Sequence, residues 1–107
     1  MRIIYNNIIP FKGFTAINLF GILFVRKNRT LSVKTINHEK IHTKQMKEVL
    51  YIGFYIWYII EWLIRLIQHR NAKEAYYNIS FEREAYANEN DLDYLKSRKL
   101  FSWRKYL

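Results

Sequence analysis

The residues His38, Glu39 and His42 form the pattern H-E-x-x-H. Because residues four apart lie on one face of a helix, both imidazoles could reach one metal ion if this segment is helical. Glu39 is rotated from His38 by about 100°, where it could accept a proton from water activated by the metal. A bound zinc ion lowers the pKa of water to about 7, so hydroxide becomes available at neutral pH. The pattern predicts a metal site with Glu39 as general base.

A catalytic zinc site needs a third protein ligand, and water fills the fourth position. The chain has no cysteine, so the candidates are His69 and the carboxylates. Glu61 lies four residues before Arg65, a helical spacing at which we expect the two side chains to pair with each other. Glu82 and Glu84 remain, at the start of a later helix that could direct a carboxylate at the metal.

The stretch from Asn78 to Tyr86 reads Asn-Ile-Ser-Phe-Glu-Arg-Glu-Ala-Tyr. It resembles the third-ligand segment of gluzincins, a class of zinc metallopeptidases, above all the minimal single-domain members and small bacterial peptidase-like proteins. The resemblance covers roughly residues 14 to 96. It implies Zn²⁺ as cofactor, a peptide or protein as substrate, and hydrolysis of peptide bonds by water. The alternative is a catalytically inactive zinc-binding or membrane-associated protein of the same fold.

The resemblance also assigns individual residues. Related membrane gluzincins carry the pattern E-x-x-A-D, in which the glutamate binds zinc. Aligned on it, Glu82 is the implied third ligand and Ala85 the small residue, with Glu84 as the alternative ligand. Tyr86 stands where the aspartate would support a zinc-binding histidine, so the partner that fixes that imidazole is not identified.

Further residues could assist the site. Gln45 extends the motif to H-E-x-x-H-x-x-Q and lies on the metal-facing side, where it could form a hydrogen bond near the metal. Gluzincins add a tyrosine or histidine that stabilises the tetrahedral intermediate. By that resemblance, His69, Tyr76, Tyr77 and Tyr86 are candidates.

Periodicity and turn residues predict the elements that must position these groups. In chain order we expect a strand over 2–9, a turn at 11–13, one bulged strand or a tight hairpin over 14–26, an active-site helix over about 33–50, an apolar helix over about 51–68, a polar connector over 69–73, and a third-ligand helix over about 81–96 with Ser80 as N-cap. The expected fold is α+β. A small strand or hairpin element, within about residues 2–27, packs on a three-helix core, and residues 1–107 form one domain. The stretch 16–26 resembles the gluzincin edge strand that receives the substrate backbone.

The net charge and the hydropathy of the chain indicate which partners it could bind. The net charge is +9, which favours an anionic membrane surface as a partner. The lysines are spread along the chain and no nucleic-acid-binding signature occurs, which argues against a nucleic-acid partner. Residues 49–67 are long enough to cross a bilayer, but a straight crossing would separate His42 from Glu82. We therefore expect a bent or buried core helix, or an in-plane interfacial helix, in a cytoplasmic or peripherally membrane-associated protein without a signal peptide.

Overall fold

The chain forms a short sheet followed by helices, and the predicted α+β class is confirmed. The structure is a computed structural model that describes residues 1–10 and 14–107, so the turn predicted at 11–13 lies outside the described residues. The elements are β1 (Arg2–Asn6), β2 (Ala16–Leu19), β3 (Ile22–Arg26), α1 (Val33–Glu48), α2 (Ile52–His69), α3 (Ala72–Tyr77), α4 (Ser80–Asn88), α5 (Tyr94–Ser97) and a 3₁₀ turn (Ser102–Tyr106).

The sheet has the order β1-β3-β2, with β1 parallel and β2 antiparallel to β3. Phe20 and Gly21 connect β2 to β3 with φ angles of 53° and 88°, the two positive values that a tight hairpin turn requires. The hairpin alternative is therefore right, and the single bulged strand is wrong. A Cβ at Gly21 would lie 3.4 Å from Thr43 Cγ2, so the turn packs against α1.

The active-site helix α1 begins where the sequence predicts. Ser32 caps it, since the Ser32 hydroxyl accepts a hydrogen bond from the Thr35 N–H at 3.1 Å. Leu50 and Tyr51 then adopt positive φ angles of 60° and 62°, and α2 leaves at 107° to α1. Among residues 1–10 and 14–107 no single helix has the length and apolar character needed to cross a membrane, and only the bent pair of α1 and α2 meets both requirements together.

The connector predicted at 69–73 is shorter than expected. α2 extends to His69, and Arg70 ends it in the left-handed conformation with φ 53°. Asn71 then caps α3, because its side-chain oxygen accepts hydrogen bonds from the N–H groups of Lys73 and Glu74, both at 3.0 Å. This asparagine cap is the local signal for α3, a helix that the sequence analysis did not predict.

The start of α4 differs from the predicted cap. Ile79 occupies the cap position and Ser80 is the first helical residue. The carboxylate of buried Glu61 accepts hydrogen bonds from the Ser80 N–H at 2.9 Å and from its hydroxyl at 2.6 Å. The expected pairing of Glu61 with Arg65 is therefore wrong, and Arg65 donates to Gln68 Oε1 instead, at 3.0 Å. A buried helix N-terminus needs an acceptor, and that need outweighs a surface ion pair.

The predicted helix over 81–96 is interrupted. α4 ends at Asn88 and a separate short helix begins at Tyr94. In the connecting loop, the side-chain amide of Asn37 donates to the carbonyls of Glu89 and Asp91, at 2.9 and 3.0 Å. These hydrogen bonds anchor the loop to α1. In a continuous helix the same carbonyls would accept hydrogen bonds from N–H groups of the helix backbone.

The buried core joins α1, α2 and α4. Met46, Phe54, Ile79 and Phe81 form one cluster, in which the Phe54 and Phe81 rings stack with centroids 4.6 Å apart. Truncating a buried phenylalanine of this kind costs about 3–5 kcal/mol. This packing fixes the distance between α1 and α4, the two helices that carry the site.

Candidate metal centre

The two motif histidines converge. His38 and His42 are 8% and 4% exposed, and their Nε2 atoms lie 3.0 Å apart. Candidate ligand atoms of His38, Glu39 and His42 all lie within 4.8 Å of one another. The chain thus contains a buried His-Glu-x-x-His group positioned to hold a metal ion.

A second carboxylate reaches the same point from α4. Glu82 Oε1 lies 3.2 Å from His38 Nε2 and 3.0 Å from His42 Nε2, and the residue is 4% exposed. Donor atoms of a tetrahedral site with bonds near 2.0–2.1 Å stand about 3.3 Å apart. The two nitrogens and the Glu82 oxygen therefore have nearly the required spacing, and this donor set is one that Zn²⁺ uses. Glu39 is half-buried and stands beside this cluster.

Each imidazole is oriented through its other nitrogen. His38 Nδ1 lies 2.7 Å from Glu89 Oε2, and His42 Nδ1 lies 2.7 Å from Gln45 Oε1. Both partners are oxygen acceptors, so each Nδ1 carries the hydrogen and donates it. Once an imidazole has lost any hydrogen on Nε2, the lone pair of that atom is directed at the metal position, with the ring held in place through Nδ1.

Glu89 supplies the support that the sequence analysis could not assign. Tyr86, at the position of the gluzincin aspartate, packs edge-on against the His38 ring with centroids 4.5 Å apart. Its hydroxyl bonds to that of Tyr76, at 2.9 Å. The sequence offered one signal for Glu89. It follows Glu82 by seven residues, or about two helical turns, a spacing that places both side chains on the same side of a helix.

Glu84 lies behind the site. Its side chain is fully buried, and Glu84 Oε1 accepts a hydrogen bond from Gln45 Nε2 at 2.9 Å. Tyr94 and Arg98 each donate to Glu84 Oε2 at 2.5 Å. Burial disfavours the charged carboxylate, but the hydrogen bonds from Arg98, Gln45 and Tyr94 lower the pKa of Glu84. Glu84 therefore holds Gln45, the residue that orients His42.

The network continues to the C-terminal segment. Arg98 donates through Nη1 and Nη2 to both carboxylate oxygens of Glu48, at 2.8 and 2.9 Å. Glu48 also accepts from the Phe101 N–H at 2.8 Å. A buried guanidinium thus links Glu84 of α4 to Glu48 of α1.

The site is a set of coupled charges. Burial disfavours the imidazolium of His42, yet the neighbouring Glu82 carboxylate raises the pKa of His42 to about 9. Burial opposes ionisation of Glu82 too, but His42 and His38 lower its pKa. Burial raises the pKa of Glu39, and the two histidines only partly offset this. Tyr58 donates to Glu82 Oε2 at 2.8 Å, and burial raises the pKa of this phenol, so it stays protonated.

A cleft of about 460 Å³ opens onto these groups. Its lining includes Glu39 together with Ala16, Ile17 and Asn18 of β2. Within the described residues β2 pairs with β3 alone, and at its other edge the Asn18 carbonyl accepts a hydrogen bond from the Tyr55 hydroxyl at 3.2 Å. The Asn18 side-chain amide donates to the Glu39 carbonyl at 3.1 Å, which ties this strand to α1.

Only one of the four tyrosine and histidine candidates for oxyanion stabilisation lies in the cleft. Tyr76 lines it, whereas His69, Tyr77 and Tyr86 are not among its lining residues. His69 lies at the exposed end of α2. Tyr58 also lines the cleft, and the sequence analysis missed it because it lies within the uniformly apolar stretch.

Comparison of the chain with protein-family models, with curated proteins and with solved structures found no match. The geometry by itself therefore establishes a buried cluster of histidine and glutamate side chains that could hold a metal ion.

Proposed function

We propose that the protein is a zinc-dependent peptidase of the gluzincin type, with His38, His42 and Glu82 as zinc ligands. One observation carries this proposal. A carboxylate oxygen of Glu82, from a helix forty residues further along the chain, reaches the Nε2 atoms of both histidines, at 3.0 and 3.2 Å. Two imidazoles and one carboxylate are the ligand set of gluzincin catalytic sites, which leave a fourth position open.

Glu39 is the proposed general base. It adjoins the ligand cluster, is half-buried and faces the cleft. Bound Zn²⁺ would supply the Lewis acidity that acidifies water and polarises a peptide carbonyl. Glu39 takes a proton from water in the cleft and delivers it to the leaving amine. Burial raises the pKa of Glu39, which makes its carboxylate a stronger base for the first of these steps.

The cleft suggests how a peptide would be held. An extended substrate could add to the edge of β2 that no described strand covers, displacing the Tyr55 hydroxyl from the Asn18 carbonyl. The contact of the Asn18 side chain with the Glu39 carbonyl holds this edge beside Glu39. Of the two phenols that line the cleft, Tyr58 has its hydrogen committed to Glu82. Tyr76 can accept from Tyr86 and so keep its own hydrogen for the developing oxyanion.

The test pairs zinc content with peptide cleavage. We expect the purified protein to bind one zinc ion and to cleave extended peptides from a quenched-fluorescence panel. Glu39→Gln should keep the zinc and lose about 10²–10⁴-fold in activity. Lys40→Gln, at the exposed neighbouring position, is the matched control and should behave like wild type.

Three outcomes decide the proposal. Absence of stoichiometric zinc, or full activity in Glu39→Gln, contradicts it. Stoichiometric zinc without cleavage of any peptide in the panel supports the alternative, an inactive zinc-binding protein. In that case His38→Ala should lower the melting temperature while Glu39→Gln leaves every measured property unchanged.

A further inference from the structure

The outward face of α2 is aliphatic along its whole length. Its members, which we call the α2 stripe, are each between 42% and 78% exposed. They are Ile52, Ile56, Ile59, Ile60, Leu63, Ile64 and Ile67. Their spacing of one, three or four residues places them on one side of the helix, over a length of about 22 Å.

The two charged residues of α2, Glu61 and Arg65, are not exposed. Glu61 is 4% exposed and bonds to Ser80, while Arg65 is half-buried beside Gln68. Water-facing helices show the opposite arrangement, with charges outward and aliphatic side chains inward. Monomeric proteins in water seldom expose so continuous an aliphatic surface, and those that do use it for contact.

The exposed charge of the described residues is predominantly positive. Most lysines and arginines of the described residues are exposed, and the net charge is +9. The acids are largely used inside the fold: Glu61, Glu82, Glu84 and Glu89 are buried. Exposed acids of the described residues are Glu74, Asp91 and Asp93. The surface therefore carries an even larger excess of positive charge than the composition indicates.

Exposed cations also flank the stripe in sequence on both sides. Lys44 and Lys47 are exposed in the last turns of α1, just before the stripe begins. Arg70 and Lys73 are exposed immediately after it ends. Aliphatic side chains flanked by cations match a bilayer interface, where hydrocarbon lies beneath anionic headgroups.

We propose that the α2 stripe docks the protein onto an anionic lipid bilayer, with α2 lying in the plane of the interface. The composition favours lipid over a protein partner, because protein interfaces are enriched in aromatic residues, methionine and arginine, and the stripe has only isoleucine and leucine. Its charge disfavours a second copy of this chain, since two copies of net charge +9 would repel each other. This docking uses no metal ligand and does not depend on the proposed peptidase activity.

Vesicle binding tests the docking surface. The protein should co-sediment with vesicles of phosphatidylcholine plus phosphatidylglycerol, and much less with phosphatidylcholine alone or at high salt. The double substitution Ile59→Glu with Leu63→Glu should weaken binding by at least about tenfold for each side chain removed from the bilayer. The matched control is Leu92→Glu with Leu100→Glu, two exposed leucines outside α2 that change the charge equally. It should retain most of the binding.

A depth probe adds a readout that needs no loss of function. The chain has no cysteine, so a single introduced cysteine can carry an environment-sensitive fluorophore. The label at Ile59→Cys should shift to the blue on adding anionic vesicles, whereas the label at Asn90→Cys, in the loop after α4, should not.

The measurements are made with a chelator present, so that failure of the zinc proposal leaves them interpretable. The docking proposal is overturned if anionic vesicles do not bind the protein, if both double variants lose binding equally, or if the Ile59 label does not shift. It is also overturned if sedimentation shows a dimer that Ile59→Glu with Leu63→Glu dissociates, because a second copy then covers the stripe. Circular dichroism and thermal melting verify that each variant is folded.

Discussion

The contact between Glu89 and His38 gives the sharpest test of how the metal centre is built. His38 Nδ1 and Glu89 Oε2 are 2.7 Å apart, and the two side chains are only 10% and 11% exposed. Glu89→Ala removes the acceptor. The His38 ring can then rotate, or its hydrogen can move from Nδ1 to Nε2, the atom directed at the metal. Zinc binding must reverse either change, which lowers the affinity.

The expected loss follows from comparable contacts. Removing the partner that orients a metal-binding histidine lowers metal affinity by about 10–100-fold, or about 1.4–2.7 kcal/mol. Glu89→Gln distinguishes loss of the hydrogen bond to His38 from loss of the negative charge. Both variants lose the ion pair of Glu89 with Lys34, whose atoms are 3.4 Å apart, but glutamine keeps an oxygen that can accept from His38. We therefore expect Glu89→Gln to recover most of the zinc affinity that Glu89→Ala loses.

The assay is competition for zinc against a chromophoric chelator at fixed pH. Asp93→Ala is the control, because Asp93 is an exposed acid in a surface ion pair with Lys96, at 3.1 Å. It should bind zinc like wild type. If Glu89→Ala also matches wild type while remaining folded, the contact does not position His38 and the reasoning is refuted.

Further predictions concern the buried charges. Arg98→Met should lower the free energy of unfolding by about 3–5 kcal/mol at neutral pH, because it leaves Glu84 and Glu48 buried without their cation. Chemical denaturation checks this against Lys99→Met, an exposed neighbour that should change little. Zinc affinity should fall about tenfold per pH unit as the pH drops below about 9, the pKa to which Glu82 raises His42, since His42 must lose its proton to bind metal. The attraction between protonated His42 and Glu82 also stabilises the metal-free fold. This contribution is complete below pH 6.5, the ordinary histidine pKa, and disappears as the pH rises through about 9. A zinc affinity that is constant between those values would contradict the second prediction.

Local signals account for what the sequence could predict. Ser32 and the apolar periodicity after it mark the start of α1, and a helix automatically brings His38 and His42 to one face. Gly21 marks a break in the stretch 14–26, because few other residues adopt its φ angle, but it did not distinguish the hairpin from a bulged strand. These features depend on neighbours within a few residues, so periodicity and turn residues indicate where they lie.

Contacts between distant segments account for what the sequence could not predict. Glu61 is spaced for a pair with Arg65, but the buried N-terminus of α4 requires an acceptor and takes it. Glu89 and Tyr58 look like ordinary surface and core residues until α4 and α2 are packed against α1. Their roles depend on tertiary packing, and a single sequence carries no direct record of it.

Helix α2 connects the two proposals physically. Its inner face holds α4 through Glu61 and donates to the ligand candidate Glu82 through Tyr58, while its outer face carries the α2 stripe. Because opposite sides of one helix serve the two tasks, substitutions can separate them. Tyr58→Phe removes a hydrogen bond to Glu82 and should change zinc affinity without affecting vesicle binding. Ile59→Glu with Leu63→Glu should do the reverse, and loss of both properties in either variant would mean that the helix itself, rather than the face, had been disrupted.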